Sequence, residues 1–229
     1  SFREFTRGLD HSIQNGVLFD SIGSDDAPEH ARVEITSDDG GGSALLLADY
    51  LKELGVRASF FIVTGWIGTS GFLTREEIRY IDALGHTVGS HGHTHPNPFC
   101  DLSRHAIRQE VLQSREILED LLGCAVDHFS VPGGEVRPKT LRELQEADLG
   151  LSRIFTSTPH QGVYITGSTS SVLGRYCLVR SMDYRKVADV IAGRGWVSNR
   201  LRYQAGRVKR ELVKGVSSLA TWGWRDVGG

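Results

Sequence analysis

Residues 32–63 read RVEITSDDGGGSALLLADYLKELGVRASFFIV, and this stretch decides the fold. Arg32 to Thr36 is a short apolar alternation that reads as a strand. Ser43 to Leu54 carries Leu45, Leu46, Tyr50 and Leu51 at helical spacing, and Arg57 to Val63 returns to β-branched and aromatic residues. Strand, glycine-rich junction, helix, strand is the unit of a parallel sheet, because a parallel return needs a crossover and a helix supplies it.

The same alternation continues outward. Thr74-Arg75-Glu76-Glu77 has the form of a capping box opening a helix to Leu84. His86 to Ser90 reads as a strand, Ser103 to Leu122 as a long helix closed by Gly123, and His128 to Val131 as a strand. Pro138 starts a helix to Ala147. Leu151 to Phe155 reads as a further strand, and Tyr176 to Arg180 and Tyr184 to Ala192 as a last strand and helix. The expected class is α/β, either an open doubly wound sheet or a β/α barrel. In both, chemistry gathers where chains leave the C-terminal ends of strands.

Three regions follow from this reading. Residues 1–30 are polar and weakly patterned, a lead-in packed over the barrel; 31–193 form the main domain; 194–229 form a basic helix and tail. In the tail, Arg194, Arg200, Arg202, Arg207, Lys209, Arg210 and Lys214 accompany a stripe of Trp196, Leu201, Val208 and Leu212. That stripe either packs on the domain, the simpler reading, or gives surface association with anionic lipid or polyanionic glycan.

Composition excludes several classes. Of 229 residues 39% are hydrophobic and 24% charged, enough for a packed core and against disorder. A formal net charge of -2 does not point to nucleic acid, and no apolar run approaches the roughly 20 residues of a membrane span. Three scattered cysteines argue against a disulfide scaffold or a Cys-rich zinc module. With no signal segment visible, they lean toward a cytoplasmic protein, unless an export signal has been trimmed.

Two strand-to-helix junctions concentrate ionisable groups. Thr36-Ser37-Asp38-Asp39-Gly40-Gly41-Gly42 places adjacent carboxylates after the first strand. Taken alone it also fits an acidic turn capping a helix. Ser90-His91-Gly92-His93-Thr94-His95 follows the third strand, with His91 and His95 four apart. Two imidazoles and one carboxylate form a three-ligand metal site with an open position. The second carboxylate of the Asp pair is then free to act as a base.

In these motifs the chain resembles the polysaccharide deacetylases with the NodB homology domain, carbohydrate esterase family 4. Thr36-Ser37-Asp38-Asp39-Gly40 matches the family's T-F-D-D-G at four of five places. His91 and His95 match its H-x-x-x-H, and Phe129-Ser130-Val131-Pro132-Gly133-Gly134 stands where the family has an F-R-P-P-Y-G type run. Ala58 to Val63 and the helix from Glu110 to Gly123 are also similar. The resemblance implies a distorted β/α barrel of about seven strands. It implies Asp39, His91 and His95 as metal ligands, Asp38 as general base, and a metal-activated water attacking an N-acetyl carbonyl. Backbone N–H groups near Pro132, Gly133 and Gly134 would stabilise the oxyanion. Zinc is the first expectation, with iron, cobalt or nickel suiting the same ligands. The implied partner is an N-acetylated glycan, polymer or precursor.

The chain departs from the pattern at three places. Ser37 replaces the Phe of the first motif. Ser130 replaces the Arg that orients the catalytic Asp, and Arg175 is the expected substitute. No His follows His160, so the family's late general-acid His is missing; His160 and His93 are the candidate donors, while His128 and His86 read as structural. Two alternatives follow: a glycan-binding relative without catalysis, and a deformylase or other amide hydrolase acting on a lipid-linked sugar.

Overall fold

In the computed structural model, which describes residues 1–20, 33–166 and 170–206, strands and helices alternate in chain order around one seven-stranded sheet. The strands are β1 (Ile35–Ser37), β2 (Ala58–Ile62), β3 (Thr87–Ser90), β4 (His128–Ser130), β5 (Arg153–Phe155), β6 (Val163–Thr166) and β7 (Ser171–Leu173). Helices α1 (Phe2–Gln14), α2 (Ser43–Glu53), α3 (Arg75–Ala83), α4 (Arg104–Leu122), α5 (Pro138–Leu144) and α6 (Tyr184–Ile191) accompany them. The sheet order is β1-β2-β3-β4-β5-β7-β6. Every pairing is parallel except β6 with β7. The sheet curls into the distorted β/α barrel expected of the sequence.

Side-chain parity explains both faces. Outward positions Ile35, Ala58, Phe60, Ile62 and Val88 join Ala44, Ala48 and Leu51 of α2, Ile78 and Ile81 of α3, and Leu118 and Leu121 of α4 in one core. Phe129, Val131, Ile154 and Val172 join Ile107 and Val111 of α4 and Leu141 and Leu144 of α5 in another. Phe60, Phe129 and Ile154 are fully buried, each contributing about 1.5–3 kcal/mol. Inward positions alternate with these, as a period of two requires. Phe61, Phe155 and Leu173 form a small inner cluster, with the Phe61 and Phe155 rings 4.9 Å apart. Gly89 must be glycine there, since a Cβ would meet the Phe61 ring at 2.6 Å and the His128 carbonyl at 2.9 Å.

Local signals hold at the helix ends. Thr74 and Glu77 form the reciprocal capping box of α3, Ser103 caps α4, and Gly123 ends it in the left-handed conformation at φ 72°. Pro138 occupies the first turn of α5, which stops at Leu144 rather than Ala147 and passes into a short 3₁₀ turn.

Two expectations are corrected. Tyr176 to Arg180 is not a strand; Leu178 and Val179 are exposed there, and the sheet is completed earlier by β7 and its antiparallel partner β6. Residues 2–14, part of the stretch read as a weakly patterned lead-in, form a regular helix, α1, whose Leu9 is fully buried. This helix lies against α6: a Cβ on Gly8 would come within 2.7 Å of Val187, and Glu4 accepts the Tyr184 N–H at 2.7 Å. At the other end, residues 196–206 are helical. The Trp196 indole donates to the Val190 carbonyl at 3.0 Å and meets Tyr176 edge-on, whereas Leu201 is exposed. The expected stripe is therefore packed at Trp196 and open at Leu201; Val208, Leu212 and the basic residues from Arg207 onward lie outside the described residues. No described helix is long and apolar enough to cross a membrane.

Candidate metal centre

Strand parity carries Thr36 and then Asp38 to the inside of the curl at the C-terminal end of β1. It does the same for His91 after β3, Ser130 at the end of β4 and Arg175 after β7. Asp39 follows Asp38 with φ 75°, a left-handed turn residue that swings its carboxylate across the strand end. His95 also has positive φ, 56°, so the His loop folds back and returns a second imidazole to the same place.

The result is a compact donor set. Asp39 Oδ1 lies 3.4 Å from His91 Nε2 and 3.5 Å from His95 Nε2, and one ligand atom from each of the three residues lies within 4.8 Å of the others. Zinc with ligands at 2.0–2.1 Å in a tetrahedron needs ligand atoms about 3.3 Å apart, so these residues fit a small divalent cation. The His91 tautomer agrees. Its Nδ1 sits 2.7 Å from the Ser130 carbonyl, which only accepts, so Nδ1 carries a proton and Nε2, which faces Asp39, is the atom left to ligate a metal. Exposure rises across the set, from 2% at the His91 side chain through 20% at His95 to 52% at Asp39, leaving one side open to an incoming ligand.

Electrostatics keeps the donors in ligating form. Contact with His91 holds the Asp39 carboxyl below the usual carboxylate range, against the opposing effect of burial. Burial, with the neighbouring His91, pushes His95 below the ordinary histidine value and favours the neutral ring. The ring also packs at a tilt against Trp66, centroids 5.2 Å apart, and Trp66 in turn against Phe72 at 4.8 Å.

Asp38 is held separately. Arg175 Nη1 donates to its Oδ1 at 2.7 Å and Nη2 to its Oδ2 at 2.9 Å, a bidentate pair of fixed plane. The same guanidinium donates to Ser130 Oγ at 2.8 Å, Thr36 Oγ1 at 3.1 Å and the Thr156 carbonyl at 3.3 Å. Burial alone would raise the Asp38 pKa; the charge and hydrogen bonds of Arg175 outweigh it and hold the carboxyl below its ordinary value. Asp38 Oδ2 is 4.0 Å from His91 Nε2, beside the donor set. The expected partnership of Arg175 with Asp38 is thus present as geometry, and Ser130, standing where an Arg was expected, is one of its acceptors.

The remaining candidates divide. Pro132 has no N–H, and the Gly134 N–H donates to the Val131 carbonyl at 2.8 Å, which leaves Gly133, at φ 67°, as the donor of that run. His93 turns its Nδ1 to the Thr64 hydroxyl at 2.9 Å. His160 is half-buried in the loop that packs on Gly174, next to Arg175. His86 is structural: its Nδ1 accepts the Ala58 N–H at 3.3 Å and its Nε2 faces the Ala48 carbonyl at 2.9 Å. One residue was not singled out from sequence. Glu110 of α4 receives the N–H groups of His93 and Thr94. Its signal was a charge on the apolar stripe of α4, between Ile107 and Ser114.

A curled β/α sheet thus carries at its strand ends a two-histidine, one-carboxylate donor set and a second carboxylate clamped by arginine. The polysaccharide deacetylase family model matches residues 25–151, which is 127 of 229 residues, and the chain belongs to that family. It is 28% identical over 147 residues to a peptidoglycan-N-acetylglucosamine deacetylase of Bacillus cereus, covering 63% of this chain and 52% of that one. It is 28% identical over 126 residues to chitin deacetylase 1 of Cryptococcus neoformans, covering 55% of this chain and 24% of that one. The chain spans about half or less of the length of these relatives. Among solved structures, IcaB from Ammonifex degensii superposes with a TM-score of 0.66 at 23% identity, covering 83% of this chain and 89% of that one. The Streptococcus pyogenes deacetylase PplD, in complex with acetate, gives 0.66 at 18%, covering 82% and 86%. These two likenesses concern the fold.

Proposed function

We propose that the protein is a metal-dependent hydrolase that removes acetyl groups from N-acetylated sugars of a polysaccharide or its precursor. The observation that carries this reading is the meeting of Asp39, His91 and His95 beside an Asp38 whose carboxylate is fixed by Arg175. Asp39, His91 and His95 would hold a divalent cation, zinc first. When bound, such an ion supplies Lewis acidity toward the acyl oxygen and lowers the pKa of water.

The chain's own residues do the rest. Asp38 stays ionised because Arg175 opposes the cost of its burial, so it accepts a proton from the attacking water. Arg175 holds both carboxylate oxygens, which aims the basic lone pair and prevents rotation away from the site. Gly133 offers a backbone N–H to the oxyanion that develops as the amide carbonyl becomes tetrahedral. His160 is the candidate to protonate the departing amine.

The relatives named for peptidoglycan N-acetylglucosamine and for chitin motivate N-acetylglucosamine polymers as first substrates. The test is acetate release from N-acetylglucosamine oligomers by the zinc-loaded protein and by Asp38→Asn. Release that depends on Asp38 supports the hydrolase. Metal and oligomer binding without such release would make the chain a glycan-binding relative instead.

A further inference from the structure

We infer that Glu110 is a positioning residue for His95, acting through the loop that presents this donor; the inference rests on the metal-site reading above. His91 is set by the strand itself, since its N–H donates to the Ile62 carbonyl at 2.8 Å. His95 lies four residues beyond, past the backbone turns at Gly92 (φ 78°) and His95 itself (φ 56°), so its place depends on what holds residues 92–94. On the carbonyl side, Thr64 and Gly65 donate their N–H groups to the carbonyls of Gly92 and His93 at 3.2 and 2.8 Å. On the opposite side stands one carboxylate. Glu110 Oε2 accepts the N–H of His93 at 2.7 Å and of Thr94 at 2.9 Å, and Oε1 accepts the Thr94 hydroxyl at 2.5 Å.

Three donors on one carboxylate fix its plane, and through it the orientation of the peptide leading into His95. The approach is close enough to constrain Gly92 as well: a Cβ there would stand 3.0 Å from Glu110 Oε2. Glu110 can reach in because it faces inward from α4, whose Ile107, Val111 and Ser114 on the same side are buried. Its hydrogen bonds go to His93 and Thr94 and, among the described residues, to none of the three ligands. Its removal therefore leaves the donor atoms intact and frees the segment that places one of them.

The experiment is zinc affinity of the metal-free chain, measured by chelator competition, for wild type, Glu110→Ala, Glu110→Gln, Thr94→Val and His91→Ala, with circular dichroism for folding. Glu110→Ala should bind zinc about tenfold or more weakly while folded, in the range seen for supporting residues of metal sites. Glu110→Gln should stay near wild type, because its amide oxygen can accept both N–H groups and its amide nitrogen can donate to Thr94. Thr94→Val, which keeps both backbone bonds, should fall between. Should Glu110→Ala fail to fold, a Thr94→Val affinity equal to wild type overturns the inference. Wild-type affinity in folded Glu110→Ala, or equal losses in the Gln and Ala variants, also overturns it while leaving the metal site standing. Wild type binding no better than His91→Ala overturns the metal-site reading and this inference together.

Discussion

Two arginines reach across the inside of the curled sheet, one at each end, and each grips a carboxylate near β1 with both of its terminal nitrogens. At the C-terminal end Arg175 holds Asp38 at 2.7 and 2.9 Å; at the other end Arg153 holds Glu34 at 3.2 and 2.7 Å. Both approach the Phe155 ring, Arg175 at 5.9 Å and Arg153 at 5.0 Å from its centroid, and Arg175 also lies 5.8 Å from that of Phe61. The pairs are alike as chemistry and differ in company. Glu34 has the Ser59 hydroxyl at 3.1 Å, whereas Asp38 has Asp39, His91 and an open strand end. The same ion pair thus ties strands together at one end and is proposed to orient a reacting group at the other.

The largest expected effect isolates that company. Asp38→Asn should keep the shape of the pair, retain zinc and lose on the order of 10²–10⁴-fold in acetate release, as for a general base. Turnover within tenfold of wild type would remove Asp38 from the base role. Next comes the direct contrast between the ends. Arg175→Ala and Arg153→Ala should each lose about 1–3 kcal/mol in urea unfolding, because each strips charged hydrogen bonds from a partly buried carboxylate. Arg175→Ala should in addition lower turnover by roughly 10²-fold through misplacement of the base, with Arg153→Ala near wild type. Equal losses of turnover in both would erase the distinction.

A smaller effect probes the wall between the pairs. Gly89→Ala forces a methyl against Phe61 and the β4 backbone and should cost about 1–3 kcal/mol by overpacking, read as a lowered melting temperature. The smallest is a pH dependence of the end away from the donor set. Burial holds His86 and His128 below the ordinary histidine value, for His128 with help from Arg153. A depressed histidine binds its proton more readily unfolded than folded. Stability should therefore be full above pH 6.5 and decline as pH falls below it toward the folded values. Urea midpoints between pH 5 and 8 check this, and His86→Gln should flatten the slope.

Much of this architecture was legible because its signals are local. The capping box at Thr74, the Gly123 stop and the apolar runs of β2 each declare themselves within a few residues. The donor set was legible for a different reason: the rule that chemistry gathers at the C-terminal ends of strands brings the two junctions together, and the resemblance names their ligands. What escaped detection depends on tertiary contact. Helix α1 buries Gly8 and Ser12 along with Leu9, so its packed face is small rather than apolar, and only Val187 explains why. The three residues of β7 sit among Ser and Gly and look like loop, while Tyr176 to Arg180 opens with a continuous apolar run like a buried strand yet is not part of the sheet. Arg175 was suggested by resemblance; its reach to Asp38 across 137 residues of chain is visible only in three dimensions.

Metal analysis of the purified chain, after dialysis against zinc and exhaustive removal of the excess, tests the central claim most directly. We predict close to one zinc per chain in wild type and in Asp38→Asn, and little in Asp39→Asn or His95→Ala. Equal zinc in wild type and His95→Ala, or none in wild type, would contradict it.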